Sequence, residues 1–210
     1  MIKWLTNWGF LSAIGFLSGG IMFCRILPAV LFKTDISKAS DDGNPGAANV
    51  FKSCGIPAGL FCLLLDMLKG FLPVFYVCLT HNIKDISFAL VMLAPVLGHA
   101  VAPYSKKTGG KCIAVSFGVL LALIPHTYAV LILAGIYIIT STVFKIDPTR
   151  KRSIFTFSLF AVISAILLCL RGLAAVAVGC VLLSAVVVLK HSFLFQHNYR
   201  KNENAGKQKI

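Results

Sequence analysis

The chain is a succession of long apolar segments separated by short polar ones. The stretch from Gly172 to Leu189 is typical, because it carries no charge and only one hydroxyl, Ser184. Crossing a bilayer core takes about 20 apolar helical residues. The pattern predicts seven spans: Leu5 to Phe32, Pro57 to Leu79, Ile86 to Tyr104, Cys112 to Ile124, His126 to Phe144, Ile154 to Leu170 and Gly172 to Leu189.

Two of the seven segments are short for a bilayer. The boundaries at Pro125 and Arg171 separate neighbouring apolar runs that could also join, so a topology of five spans stays open. We expect one membrane domain over residues 1–190 and a basic cytoplasmic tail over residues 191–210.

The composition supports an all-α, polytopic integral membrane protein. Of the 210 residues, 58% are apolar and only 13% are charged, which is far from the balance of a soluble domain. The seven cysteines are scattered and form no CxxC pair, so we expect neither a metal site nor a cofactor.

The basic residues predict the orientation of the chain. Short cytoplasmic loops collect Lys and Arg, and an external N-terminus leaves only Lys3, Lys84 and Arg171 outside. The formal charge of +13 then reflects membrane orientation and anionic lipids or substrates, and no nucleic-acid partner is needed.

Two polar segments that contain glycine fall on the predicted cytoplasmic side. One runs from Gly43 to Asn49, and the other from Thr108 to Lys111. Backbone amides that no side chain obstructs, together with a nearby ammonium group, are suited to holding a phosphate. A membrane protein that holds phosphates at the membrane edge suggests chemistry on lipid headgroups.

These motifs, in their residues and in their order along the chain, resemble those of the bacterial acyl-phosphate:glycerol-3-phosphate acyltransferases, the PlsY family. The resemblance rests on Asp35-Ile36-Ser37-Lys38, on Gly43-Asn44-Pro45-Gly46, on Asp66 to Gly70, and on Gly98-His99 followed by Gly109-Gly110-Lys111 and Ser116-Phe117-Gly118. It covers about Gly19 to Gly118, with a weaker basic match after Lys190.

The resemblance implies transfer of a fatty acyl group from acyl phosphate to the sn-1 hydroxyl of glycerol 3-phosphate, which gives lysophosphatidic acid. It implies no acyl-enzyme, and it places the protein in the bacterial inner membrane with its site facing the cytoplasm. The catalytic candidates that it implies are Asp42, Lys52, His99 and Lys111. The binding candidates are Ser40, Gly43, Asn44, Gly46, Asn49, Gly109, Gly110, Ser116, His197 and Asn198.

Asp66 and Lys69 are two further candidates. They are one helical turn apart in an apolar segment, so they can pair with each other, and charges inside membranes are functional by default. A structural pair and a direct substrate contact remain equally open. Without the resemblance, the glycines fit simple turns and His99 fits a satisfied buried histidine.

Several positions depart from the family pattern. Asp42 replaces a serine and Lys52 an arginine, while Ala48, Ala100, Cys112 and Val115 also differ from the usual residues. Lysine keeps the charge but loses the two-pronged geometry of arginine. The alternatives are therefore a divergent active enzyme, a catalytically silent relative that binds lipid or phosphate, and a small transporter.

The predicted orientation can be tested by cysteine labelling. In a background without accessible native cysteines, Lys84→Cys should react with a membrane-impermeant maleimide in intact cells. Lys107→Cys should react only after the membrane is opened. The opposite pattern would place both glycine-bearing segments on the external side.

Overall fold

The computed structural model describes residues 7–40, 43–105 and 109–207, with side chains described up to residue 192. This part of the chain is helical and contains no strand. Its helices are α1 (Trp8–Gly20), α2 (Phe23–Phe32), α3 (Ile36–Ala39), α4 (Ala47–Cys54), α5 (Ile56–Thr80), α6 (Phe88–Val101), α7 (Ile113–Leu121), α8 (Ala129–Thr142), α9 (Thr149–Leu170) and α10 (Ala174–Lys207).

The predicted class, an all-α integral membrane protein, is confirmed. Four apolar stretches in the described part are long enough to cross a membrane: Trp8–Phe32, Ile56–Thr80, Thr149–Leu170 and Ala174–Ser192. Helices α6 and α8 have 14 residues each and α7 has nine. Every predicted segment therefore contains an apolar helix. That all seven segments cross the membrane completely stays a prediction.

The first predicted span is interrupted. Helix α1 ends after Gly20, Ile21 is extended (φ −71°, ψ 116°), and α2 begins at Phe23. Because Ile21 leaves the helical path, its carbonyl is not committed to an α-helical hydrogen bond. The continuous hydrophobicity of residues 5–32 gives no sign of this break.

The segments around α7 are shorter than predicted. Helix α6 ends where Ala102 adopts a left-handed conformation (φ 53°), and Pro103 follows it. Helix α7 begins only after Cys112, which is also left-handed (φ 66°), and it ends at Leu121, ahead of Pro125. A left-handed residue breaks the α-helical path, and the described residues between the two helices, 102–105 and 109–112, are not helical.

Close backbone contacts hold the helices together. A Cβ built on Gly19 of α1 lies 2.0 Å from the carbonyl oxygen of Pro95 in α6, and one built on Gly98 of α6 lies 2.0 Å from the carbonyl oxygen of Phe16. A Cβ on Gly118 of α7 lies 1.9 Å from the carbonyl oxygen of Met67 in α5. Only glycine permits these approaches, as in other tightly packed membrane helices.

The larger buried cluster gathers side chains from both the long and the shorter apolar helices, including Phe88, Met92, Leu133, Phe157 and Phe160. A second, smaller cluster joins the polar N-terminal region to the bundle through Cys24, Ile36, Val50 and Cys62. These four residues come from α2, α3, α4 and α5. The smaller cluster thereby fixes α3 and α4, which frame the first glycine-bearing segment.

Substituting Gly118 tests the contact between α5 and α7. Gly118→Ala places a methyl group against the carbonyl of Met67 and should destabilise the fold by about 1–3 kcal/mol through overpacking. Gly135→Ala is the matched control, because a Cβ there meets no described atom within 4 Å. Equal thermal unfolding midpoints for the two variants in detergent would contradict the close packing.

Candidate functional site

The first glycine-bearing segment folds into a turn that leads into α4. Gly43 has φ +64°, a conformation that favours glycine. The carboxamide of Asn49 donates a 2.8 Å hydrogen bond to the carbonyl of Asn44 and so holds the turn against α4. Gly46 is the N-cap residue of α4 and offers no capping side chain. The first turn of α4 therefore presents backbone amides that can bind an anion.

Gly109 and Gly110 of the second glycine-bearing segment pack on the C-terminal end of α6. The amide of Gly110 donates to the carbonyl of His99 at 3.1 Å. A Cβ on Gly109 would lie 2.2 Å from the carbonyl oxygen of Ala100, and one on Gly110 would lie 2.1 Å from His99 Nε2. Lys190 of α10 donates to that same Ala100 carbonyl at 3.0 Å. Both glycines are therefore required by the approach of this segment to α6.

Asp66 and Lys69 form the predicted ion pair inside the bundle. Asp66 Oδ1 lies 2.8 Å from Lys69 Nζ, and both side chains are buried. Lys69 Nζ also lies 2.8 Å from His99 Nδ1 and donates to the carbonyl of Ile21 at the break between α1 and α2. Cys24 donates to the other carboxylate oxygen of Asp66 at 3.0 Å. This network joins α2, α5 and α6 to the broken segment.

A cavity of about 550 Å³ lies between these elements. Its polar side chains come from six places in the chain: Asn44, Asn49, Lys52, Asp66, His99, Lys111, Thr149 and His191. Its apolar lining is formed mainly by Leu63, Met67, Ile113, Ala114, Phe117 and Tyr137. Phe117 and Tyr137 meet edge to face with their ring centroids 6.3 Å apart. The cavity can therefore hold an anionic group beside an alkyl chain.

The cavity brings together seven of the residues singled out from the sequence: Asn44, Gly46, Asn49, Lys52, Asp66, His99 and Lys111. Lys52 is exposed, Lys111 is partly buried and His99 is buried. Residues that are far apart along the chain, such as Asn44 and Lys111, thus share one cavity.

The other candidates lie around the cavity or outside the described part of the chain. Ser40, Gly43, Gly109, Gly110, Ser116 and Lys69 are not part of the lining. Ser116 is fully buried in α7, and its hydroxyl has no hydrogen-bond partner among the described residues. Asp42 lies outside the described residues, as do the side chains of His197 and Asn198, whose backbone belongs to α10.

His191 is a cavity residue that the sequence reasoning missed. It is buried in α10, and its Nδ1 lies 2.8 Å from the carbonyl of Val187. Because a carbonyl can only accept, Nδ1 carries the hydrogen. Arg150 of α9 donates to the carbonyl of His191 at 2.9 Å. The sequence signal for this residue was the pair Lys190-His191 at the end of an apolar run. It was missed because the predicted membrane domain ended at residue 190, which placed His191 in the tail.

A sequence model described as glycerol-3-phosphate acyltransferase matches residues 9–200. This chain belongs to the glycerol-3-phosphate acyltransferase family. The family predicted from the glycine-bearing motifs is confirmed by a match that covers nearly the whole described chain.

Two curated members of this acyltransferase family illustrate the similarity. Glycerol-3-phosphate acyltransferase 2 of Thermotoga maritima is 35% identical over 136 residues, which are 65% of this chain and 68% of the relative. The glycerol-3-phosphate acyltransferase of Myxococcus xanthus is 38% identical over 138 residues, which are 65% of this chain and 70% of the relative.

The fold resembles crystal structures of PlsY, an integral membrane glycerol 3-phosphate acyltransferase. Its glycerol 3-phosphate form superposes with a TM-score of 0.76 at 24% identity, and its lysophosphatidic acid form with a TM-score of 0.74 at 23% identity. Each comparison covers 92% of both chains. The arrangement of helices described above is therefore that of the family's known fold.

Proposed function

We propose that this chain transfers a fatty acyl group from acyl phosphate to glycerol 3-phosphate, forming lysophosphatidic acid for phospholipid synthesis. Membership of the acyltransferase family supports the reaction class. The observation that supports the substrates is that one cavity is lined both by basic and polar side chains and by apolar ones. A fatty acyl phosphate likewise combines an anionic head with an alkyl chain.

The lining offers two separate cations for two phosphate groups. Lys52 comes from the last turn of α4, and Lys111 immediately follows the Gly109-Gly110 pair. The start of α4 lines the same cavity through Gly46 and Ala47. Amide dipoles and ammonium groups stabilise phosphates together. This arrangement supports binding of both anionic substrates next to each other.

The apolar lining residues are suited to the acyl chain. Leu63 and Met67 come from α5, Ile113 and Phe117 from α7, and Tyr137 from α8. These side chains are as apolar as the lipid tails of the bilayer, so the fatty acyl chain can leave the bilayer for this lining. The acyl chain therefore binds along these helices, while its reacting carbonyl lies near the polar lining residues.

The reaction needs no covalent enzyme intermediate. The acceptor hydroxyl oxygen forms a bond to the acyl carbon, and the bond from that carbon to the phosphate oxygen breaks. The hydroxyl proton leaves with the released inorganic phosphate. Since phosphate is a good leaving group, catalysis consists mainly of holding the two substrates in place and stabilising the negative charge that develops.

The site faces the cytoplasm of a bacterial cell membrane in this proposal. The distribution of Lys and Arg supports that orientation, since both glycine-bearing segments fall in loops rich in Lys. Glycerol 3-phosphate is water-soluble and its product is a lipid. A site at the cytoplasmic edge of the membrane therefore admits one substrate from water and releases the product into the bilayer.

Acyl transfer by the purified full-length protein tests the function directly. Protein in detergent, given acyl phosphate and glycerol 3-phosphate, should form lysophosphatidic acid and inorganic phosphate in equal amounts. Lys111→Ala should lower kcat/KM about tenfold or more, which corresponds to about 1.4 kcal/mol. Lys84→Ala is the matched control, because Lys84 is exposed and is not part of the cavity lining. Equal losses in the two variants would move phosphate binding away from Lys111.

A catalytically silent relative is the second candidate, and the replacements at Asp42 and Lys52 favour it. A carboxylate repels a phosphate, and lysine lacks the planar fork of arginine. If the wild type has a measurable rate, the double variant Asp42→Ser, Lys52→Arg should therefore be faster. Inactivity of both proteins would favour the silent relative, and a lower rate in the double variant would show that Asp42 has acquired a role of its own.

A further inference from the structure

Phe117 is the lining residue of α7 that lies farthest along the helix from Lys111. The lining begins in this region at Lys111 and continues through Ile113 to Phe117, which is about 6 Å beyond Ile113 at 1.5 Å per residue. At the next residue, Gly118, a Cβ would lie 1.9 Å from the Met67 carbonyl oxygen, so α5 and α7 are in direct backbone contact there. The cavity therefore does not continue between these two helices beyond Phe117.

Tyr137 closes the corresponding part of α8. It is the one described residue of α8 in the cavity lining. Side chains on an α-helix lean towards its N-terminus, so the Tyr137 ring leans towards Leu133, one turn earlier on the same face. Leu133 is fully buried in the larger apolar cluster, against which Tyr137 itself packs. Core side chains therefore fill the space beyond Tyr137.

Phe117 and Tyr137 meet each other and form what we call the ring pair. Their planes are inclined by 76° with the ring centroids 6.3 Å apart, which is the favourable edge-to-face arrangement of two aromatic rings. Both rings also pack against the larger buried cluster. Because one ring comes from α7 and the other from α8, the pair spans the gap between these two helices at the limit of the apolar lining.

Arg152 of α9 holds the Tyr137 ring from a third helix. The guanidinium carbon of Arg152 lies 5.7 Å from the centroid of the Tyr137 ring, within the range of a cation–π contact. Arg152 Nη2 also donates a hydrogen bond to Thr149 Oγ1 at 3.3 Å, which ties the guanidinium to the start of α9. The Tyr137 ring therefore cannot turn aside without losing its contacts with both Phe117 and Arg152.

We propose that the ring pair determines which acyl chain lengths the cavity accepts, and that Arg152 is a positioning residue that keeps Tyr137 in place. This rests on the proposed acyl transfer. The reacting carbonyl is held near the polar lining residues, so the alkyl chain extends from there along α7 towards Phe117 and Tyr137. A chain that is too long meets the two rings, whereas a chain that left the cavity for the bilayer earlier would not be affected by them.

Steady-state kinetics with acyl phosphates from dodecanoyl to octadecanoyl phosphate test the ring pair. Phe117→Ala and Tyr137→Ala should each raise the ratio of kcat/KM for the longest donor to that for the shortest by about tenfold or more, because space opens for additional methylenes. Ala114→Leu fills the lining one turn before Phe117 and should change the ratio in the opposite direction. An unchanged ratio in the variants that fold like the wild type overturns the proposal.

The same ratio tests the positioning role of Arg152. Arg152→Met keeps a long apolar side chain but removes the cation, so it should raise the ratio in the direction of Tyr137→Ala. Arg152→Lys retains a cation over the ring and should restore most of the wild-type ratio. Lys151→Met is the matched control, because Lys151 is an exposed neighbour outside the cavity lining. If Arg152→Met lowers kcat/KM equally for every chain length, the positioning role is wrong.

Binding of alkyl phosphonates of the same chain lengths tests the ring pair without turnover. A ligand that binds the folded protein raises its unfolding midpoint. The longest phosphonate, compared with the shortest, should raise the midpoint of Phe117→Ala more than that of the wild type. Each ligand is compared between the two proteins in the same detergent, so its partition into micelles cancels.

The two conclusions can fail separately. Failure of the wild type to turn over acyl phosphate defeats the proposed function, while the phosphonate series still reports on the ring pair. The same dependence of phosphonate binding on chain length in the wild type and in Phe117→Ala overturns the ring pair, whether or not the protein is active.

Discussion

The arrangement of the site depends on one buried cation, the ammonium group of Lys69. An unpaired charge inside a membrane bundle is costly, so its neighbours must supply compensating oxygen and nitrogen atoms. Asp66 supplies a carboxylate from the same helix, the break after α1 supplies the Ile21 carbonyl, and α6 supplies His99. A buried ion pair contributes little net stability compared with apolar packing. Its effect here is to fix three segments in one relative position.

Glycine allows the cation to reach these partners. The contacts of Gly19 with Pro95 and of Gly98 with Phe16 bring α1 against α6, so the broken end of α1 lies near His99. Gly118 brings α7 against Met67 of α5, only two residues from Lys69. A larger side chain at any of these positions would overlap a backbone carbonyl and push the helices apart. The polar network and the close packing therefore require each other.

The apolar segments and the Asp66–Lys69 pair could be predicted from the sequence because both are local properties. Hydropathy depends on neighbouring residues, and a spacing of three places two side chains on one helix face. The break at Ile21 could not be predicted in this way, because the apolar run continues through it. Its carbonyl is needed by Lys69, which lies 48 positions further along the chain. Contacts at such separations leave no periodic signal in the sequence.

Only the part of the candidate site that lies in local motifs could be predicted from the sequence. Asn44, Lys52 and Lys111 belong to compact motifs, so their residue types and spacing indicated phosphate chemistry before any fold was known. Tyr137 and His191 come from helices with no motif of their own, and only packing brings these side chains to the cavity. His191 also shows that the end of hydrophobicity is not the end of a helix, since α10 continues past residue 190.

The mixed lining of the cavity follows from where its residues originate. Asn44 and Lys111 lie in irregular segments, where backbone amides are available, whereas Asp66 and His99 belong to α5 and α6. The apolar lining comes from α5, α7 and α8, which also contribute to the hydrophobic bundle. A molecule with a phosphate head and an alkyl tail has partners for both kinds of lining residue, whereas a wholly soluble or wholly apolar molecule leaves one kind without a partner.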